Sequence, residues 1–242
     1  MWSCCGLALY LKLQGLVSIS AETVRRRLWG LGLRLIRPVL TVASPDPDYE
    51  AKLAELEEHK EQARRGEIEL LFEDEVDLNL LPGIVRAWTR RGEQKKIPTP
   101  GQNQKRYGFG TVSFMSGHIT FGVSEHKDSA GVCELVDRVM DHYSDSSEAK
   151  PVVMVMDNYG IHHSKKTQAK LDSCAGRLRV FYLPTYSPHL NLIELIWKHL
   201  RRCVTHNFLF DGIAALCIAV LQFIQWLTDD PQQVLSLIGN NA

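Results

Sequence analysis

The chain has 242 residues, room for one domain of ordinary size with a smaller attachment at roughly 150 residues per domain. Hydrophobic residues make up 45% and charged residues 23%, which excludes disordered, collagen-like and disulfide-scaffold chains. Lys plus Arg and Asp plus Glu balance at 28 each, so the protein is not a uniformly basic nucleic-acid binder.

The balance hides a segregation of charge. Residues 1–44 carry six basic side chains (Lys12, Arg25, Arg26, Arg27, Arg34, Arg37) against Glu22 alone, and a basic end points toward a polyanion. The apolar stretch from Leu7 to Leu11 has no basic run before it and no small-residue cleavage site after it, so a signal peptide is not expected. Cys5 to Leu13 reads as a helix, with Gly15 in a turn after it. Ser20 then caps a second helix with apolar spacing at Val24, Leu28 and Leu31, ended by Gly30 or Gly32. A helix, a short turn and a helix bearing Arg25, Arg26 and Arg27 outline a helix-turn-helix reader of DNA. Two ordinary helices with a solvated basic face are the alternative.

The segment from Ser44 to Asp48, with two prolines and two aspartates, reads as a linker and helix start. Tyr49 to Arg65 follows as an amphipathic helix with Leu53 and Leu56 on a charged background, and the seven acids between 45 and 63 read as its solvated face. Glu67 to Phe72 is strand-like and runs into the acids Glu73, Asp74, Glu75 and Asp77. A basic loop comes next, with Arg86, Arg90, Arg91, Lys95, Lys96, Lys105 and Arg106 around Trp88 and only Glu93 opposing. It is either a set of phosphate contacts or a solvated loop.

Tyr107–Phe114 and His118–Val123 are expected as two strands joined by a Ser116-Gly117 turn. Ser129–Tyr143 is expected as a helix, Pro151–Met156 as a central strand buried on both faces, Ser164–Cys174 as a helix and Leu178–Leu183 as a strand. Two helices close the chain, about Leu190–Thr205 and Asp211–Leu227. The second is apolar but too short, at fewer than the roughly 20 residues needed, to span a bilayer. This order makes a mixed α/β sheet covered by helices. The six cysteines show no CxxC and are expected as reduced, mostly core thiols of a cytosolic protein.

Asp157 ends the buried strand, where open α/β sheets place ligands. Asp74 sits where a strand is expected to run out, and Glu194 lies near the start of a helix, one position off the stripe Leu190, Ile193 and Trp197. An Asp that caps a loop and a Glu that faces a helix dipole are the plainer readings of two of them. Three oxygen donors from distant segments suit Mg²⁺ or Mn²⁺, and two such ions about 4 Å apart suit in-line attack on a phosphodiester. His162 and His163 follow Asp157 as groups for a phosphate, a metal or loop positioning. Lys198, Arg201 and Arg202 trail Glu194 at helical spacing, as DNA-backbone contacts or as an offset to local negative charge.

Four segments carry a family resemblance: FEDE at 72–75, PGIVRAWTRRG at 82–92, MDNYGIHHS at 156–164 and YLPTYSPHLNLIELIWKHLRR at 182–202. Together they resemble the DDE transposases, in the mariner-related insertion sequence 630 group. The resemblance implies a ribonuclease-H-like catalytic domain at 67–230, a linker helix at 44–66, a partial helix-turn-helix segment at 1–43 and a C-terminal tail at 231–242. It matches Asp74, Asp157 and Glu194 to the three catalytic acids, with Asn158 and Asn191 as further site residues within the matched motifs. It further implies Mg²⁺ or Mn²⁺ as cofactor, transposon inverted repeats and TA-containing target duplex as DNA partners, a homodimer, and a cytoplasmic protein at the nucleoid, with no membrane role. The family pattern has Pro where this chain has Leu192. It also places two helix-turn-helix units ahead of the linker, and this chain opens within the second. A catalytically inactive remnant that only binds DNA and a nuclease without strand transfer are the alternative functions.

Overall fold

The computed structural model describes residues 3–34, 44–144 and 150–240; Arg37 and the expected boundary at residue 43 lie outside them. The chain divides into two compact units, Met1–Val42 and Ala43–Ala242. In the first, α1 (Cys4–Leu13) and α2 (Ala21–Gly30) are joined by a turn in which Gly15 takes φ +67°, open only to glycine without strain. Ser3 and Ser20 cap the two helices, accepting from the backbone N–H of Gly6 and Thr23. Of the expected apolar stripe on α2, Val24 is buried while Leu31 is exposed.

The second unit is built on a five-stranded sheet: β1 (Glu69–Asn79), β2 (Lys105–Ser113), β3 (Ile119–Ser124), β4 (Val152–Met156) and β5 (Leu178–Tyr182). The spatial order is β3-β2-β1-β4-β5, with β2 antiparallel to both neighbours and β1, β4 and β5 parallel. Helices α3 (Tyr49–Arg64), α4 (Ser129–Ser144), α5 (Lys165–Ser173), α6 (Ile193–Leu200), α7 (Ile213–Thr228) and α8 (Pro231–Leu237) cover it.

Strand alternation sorts the side chains into two cores. Leu70, Phe72, Val76 and Leu78 of β1 and Val153 and Val155 of β4 join α3, α6, α7 and α8 in one. Leu71 of β1 and Val152, Met154 and Met156 of β4 join α4 and α5 in the other. The β4 side chains are all buried, as its unbroken apolar run predicts. Gly117 at φ +70° makes the β2–β3 turn, where a Cβ would meet the Pro231 carbonyl at 2.7 Å.

Four expectations change. First, β1 does not end at Phe72 but continues through the acidic cluster to Asn79, because β2 pairs with it all the way, Asn79 opposite Lys105. Second, the segment expected as a tail forms α8, with Val234, Leu235 and Ile238 buried in the first core and Asn240 donating to the Phe114 carbonyl. Third, α3 is more than a connector, since Leu56 and Ala63 are buried in that same core. Fourth, none of the six free cysteines is fully buried, and Cys5 and Cys203 are exposed. Among the described residues no single helix is long and apolar enough to cross a membrane. The apolar α7 instead buries Leu216, Val220, Phe223, Ile224 and Leu227.

Candidate active site

What runs out near Asp74 is the partner of β1. The parallel ladder between β1 and β4 stops at Phe72 opposite Val155, and two residues further along each chain stand Asp74 and Asp157. Alternation keeps Asp74 on the face of Phe72, and Asp157 follows the last residue of β4, on a chain about 4.8 Å away where the two are paired. Glu194, in the first turn of α6, comes to the same place. All three acids line one open cavity of about 340 Å³ beside Asn158, Tyr159, Asn191 and the 183–188 loop.

The end of the parallel ladder leaves a backbone carbonyl at Glu73 to be satisfied. The Asn191 side chain, buried, donates to it at 2.7 Å, which pins the start of α6 to the strand beside Asp74. Asn158 likewise donates to the Leu183 carbonyl and ties the loop after Asp157 to the end of β5. Leu192 stands at φ −66°, the angle proline would impose, so the backbone at the helix start is one that the proline of the family pattern would also fit. Buried Trp197 of α6 donates from Nε1 to Asp74 Oδ2 at 3.1 Å. Gly110 of β2 makes room for that indole, since a Cβ there would lie 2.8 Å from it.

On the opposite face of β1, alternation places Glu73 and Glu75, both buried. Fully buried His162 sits between them and Asp157. Its Nε2 lies 3.0 Å from Glu75 Oε1 and 3.4 Å from Glu73 Oε2. Its Nδ1 lies 3.0 Å from the Asp157 carbonyl and 3.1 Å from Asp157 Oδ1. Both ring nitrogens therefore face acceptors, as an imidazolium requires. Burial alone would lower the His162 pKa, but the hydrogen bonds to Asp157 and Glu75 and the charge of Glu73 raise it to about 11. Lys127 adds a second cation, 3.5 Å from Glu75 Oε2.

The same neighbours set the two aspartates apart. Burial, then the negative charge of Glu194 and Glu75, pushes the Asp74 carboxyl up to about 8. Burial also pushes Asp157 upward, but the His162 hydrogen bond, the Tyr159 N–H and the His162 and Lys127 charges outweigh it and hold it below its ordinary value. Glu73, crowded by burial and by Glu75, is raised well above the carboxylate range. The site thus drives the two carboxyls in opposite directions, Asp157 toward its ionised form and Asp74 toward its protonated form.

Other expected residues fall elsewhere. Exposed His163 lies against Tyr182, with ring centroids 4.6 Å apart, and does not line the cavity. The expected helix through Thr205 changes at Leu200 into a π-helical stretch, Arg201–Thr205. Arg201 reaches Glu194 at 3.5 Å, and Lys198 and Arg202 are exposed. Arg86, Arg90, Arg91, Lys95 and Lys96 are exposed on the 80–104 loop, whose base is held where Asn207 exchanges hydrogen bonds with Val85. Lys105 and Arg106 belong to β2 and face Asp77 at 3.8 Å and Glu125 at 2.7 Å. On α2, Arg25 is held by Glu22 at 2.7 Å, Arg26 stands 3.7 Å from the same carboxylate, and Arg27 is exposed. Glu73, Glu75, Lys127 and Trp197 were not among the expected site residues. The two glutamates were findable, since alternation through LLFEDEV sets them opposite Asp74.

Comparison with known proteins gives the family and the fold. Residues 69–217 match the DDE superfamily endonuclease family. The chain is 33% identical over 213 residues to an insertion element IS630 protein of 39 kDa from Shigella sonnei, covering 88% of this chain and 61% of that one. It is 26% identical over 194 residues to the transposable element Tc1 transposase of Caenorhabditis elegans, covering 76% and 69%. The solved mariner Mos1 paired-end complex with Mg superposes at a TM-score of 0.69 with 15% identity, over 99% of this chain and 71% of that one. That likeness shows the shared ribonuclease-H-like fold. The chain belongs to the DDE superfamily of endonucleases, in its branch related to insertion sequence 630 and mariner.

Proposed function

We propose that the protein is a metal-dependent DNA transposase that cuts phosphodiester bonds at insertion-sequence ends and joins the 3′-hydroxyl to TA-containing target DNA. The observation that carries this reading is the convergence of Asp74, Asp157 and Glu194, from two strands and a helix, in one cavity. The residues fit a hard divalent cation such as Mg²⁺ or Mn²⁺. The donors are all oxygen, the buried Asn191 Oδ1 at the cavity has no hydrogen-bond partner among the described residues, and burial together with the charges of Glu194 and Glu75 raises the Asp74 carboxyl to about 8. Asp74, Asp157 and Glu194 would hold two such ions. The chemistry such ions would supply there is activation of the attacking water or 3′-hydroxyl and an offset to charge on the leaving oxygen.

The protein's own groups prepare that site. Asn191 and Trp197 hold α6 and Asp74 together, and His162 orients Asp157. In this reading 67–230, with α3 and α8 packed on it, is the catalytic body, and 1–43 contributes Arg25, Arg26 and Arg27 to duplex binding. Arg86, Arg90, Arg91, Lys95, Lys96, Lys198, Arg201 and Arg202 contact phosphates, and a homodimer brings two ends together at the nucleoid. The intact set of acids favours catalysis over a remnant that only binds DNA.

The test is a labelled duplex carrying the inverted repeats that flank the coding sequence, incubated with Mg²⁺ or Mn²⁺ and an unlabelled target duplex. Cleavage at the repeat boundary followed by joining of the 3′-hydroxyl end to the target is expected. Cleavage without joining would make the protein a nuclease, and binding without cleavage would make it a remnant.

A further inference from the structure

The loop on the β5 side of the cavity holds a strained aromatic residue that the phosphoryl-transfer reading does not use. Tyr186 lies at φ +57°, and a bulky side chain at positive φ is an outlier that persists only where its surroundings enforce it. The enforcement is visible on both sides. The Thr185 carbonyl accepts from Ser44 Oγ at 2.6 Å and from Ser187 Oγ at 3.4 Å, its N–H points to Asp46 Oδ2 at 3.4 Å, and Ser187 is buried. The strain serves no packing: the Tyr186 side chain is 66% exposed, lines the mouth of the acid cavity, and makes no hydrogen bond or ring contact with the described residues. Tyr159, the other aromatic at the cavity, is engaged instead, with Lys127 Nζ 4.7 Å from its ring centroid.

We propose that Tyr186 is a stacking platform for a nucleobase next to the scissile phosphate. The substrate of this site is then a DNA boundary whose nucleotide has left the duplex stack. Inside a duplex both faces of a base are covered, so a ring beside the cleavage point gains a partner only when the adjoining base is unpaired. Stacking tolerates any base, which suits a residue at the chemistry rather than in sequence readout. Tyr186 is thus a positioning residue acting through the nucleobase. The proposal rests on the phosphodiester reading of the cavity.

Binding is measured by fluorescence anisotropy with Ca²⁺ in place of the catalytic ion. The full chain is titrated with inverted-repeat duplexes whose boundary nucleotide is either paired or mismatched. The wild type is expected to prefer the mismatched duplex about tenfold, the scale of one base–aromatic stack. Tyr186→Phe keeps the preference, and Tyr186→Gly, which relieves the positive φ and removes the ring, loses it with no fall in Tm. Equal affinity of the wild type for both duplexes, the same preference in Tyr186→Gly, or no binding to either duplex would overturn the proposal. Parallel assays with Mn²⁺ separate the two readings: a mismatch preference lost in Tyr186→Gly without any cleavage by the wild type supports the platform while contradicting the transposase chemistry.

Discussion

Asp157→Asn is expected to abolish Mn²⁺-dependent strand cleavage with the fold intact. Asparagine matches aspartate in shape and still offers Oδ1 to the Tyr159 N–H and to His162, the partners that hold the side chain at 2.8 and 3.1 Å. What it removes is the negative charge, and Asp157 is the aspartate of the pair that its surroundings keep ionised. The loss expected in cleavage rate is at least about 10²–10³-fold, the scale of removing one preorganised electrostatic group. Single-turnover cleavage checks it, alongside Tm within a few degrees of wild type. Full cleavage by Asp157→Asn would remove this residue from the chemistry.

His162→Leu is expected to cost the most stability of any single change near the site. The imidazolium lies fully buried among Glu75, Glu73 and Asp157, and leucine would leave buried Glu73 without its cation and buried Glu75 with Lys127 alone, 3.5 Å away. Breaking a buried ionic cluster by removing one partner costs about 3–5 kcal/mol. The pH dependence has a definite sign. Because the folded-state pKa of His162 is raised from 6.5 to about 11, its contribution is fully present below pH 6.5 and is lost as pH rises through 11. The stability gap between wild type and His162→Leu, read from denaturant unfolding, therefore narrows from pH 7 toward 11. A constant gap across that range, or a variant as stable as wild type, would contradict the charged assignment.

Periodicity made most of the fold legible. The alternation in β1, the unbroken apolar run of β4 and the Ser caps of α2 and α5 all report local physics that tertiary contacts reinforce. The errors over where β1 ends and over the segment after residue 230 have one cause, contacts with elements distant in the chain. The end of a strand depends on its partners, which lie far along the chain. Asp74 looked like a strand end because the apolar residues gave way to acids, whereas β2 carries the pairing on to Asn79. The segment after residue 230 looked like a tail because seven residues carry too little apolar surface to announce α8, whose burial is supplied by the body.

The site was legible to a different depth. Asp74, Asp157 and Glu194 stood out as acids at element ends, and the family resemblance joined them. His162 was visible in the motif, but its engagement of Glu75 across 87 residues is a product of topology, as is that of Trp197 with Asp74 across 123. Tyr186 carried no signal in composition or period, since its distinguishing feature is a backbone angle.

Isothermal titration with Mn²⁺ tests most directly the central claim that the three acids form one cation site. Wild type is compared with Asp74→Asn, Asp157→Asn and Glu194→Gln at pH 7.5. Each substitution is expected to weaken binding at least about tenfold, since every acid contributes charge to one cavity. Unchanged Mn²⁺ affinity in any one of the three would take that residue out of the site and contradict the account.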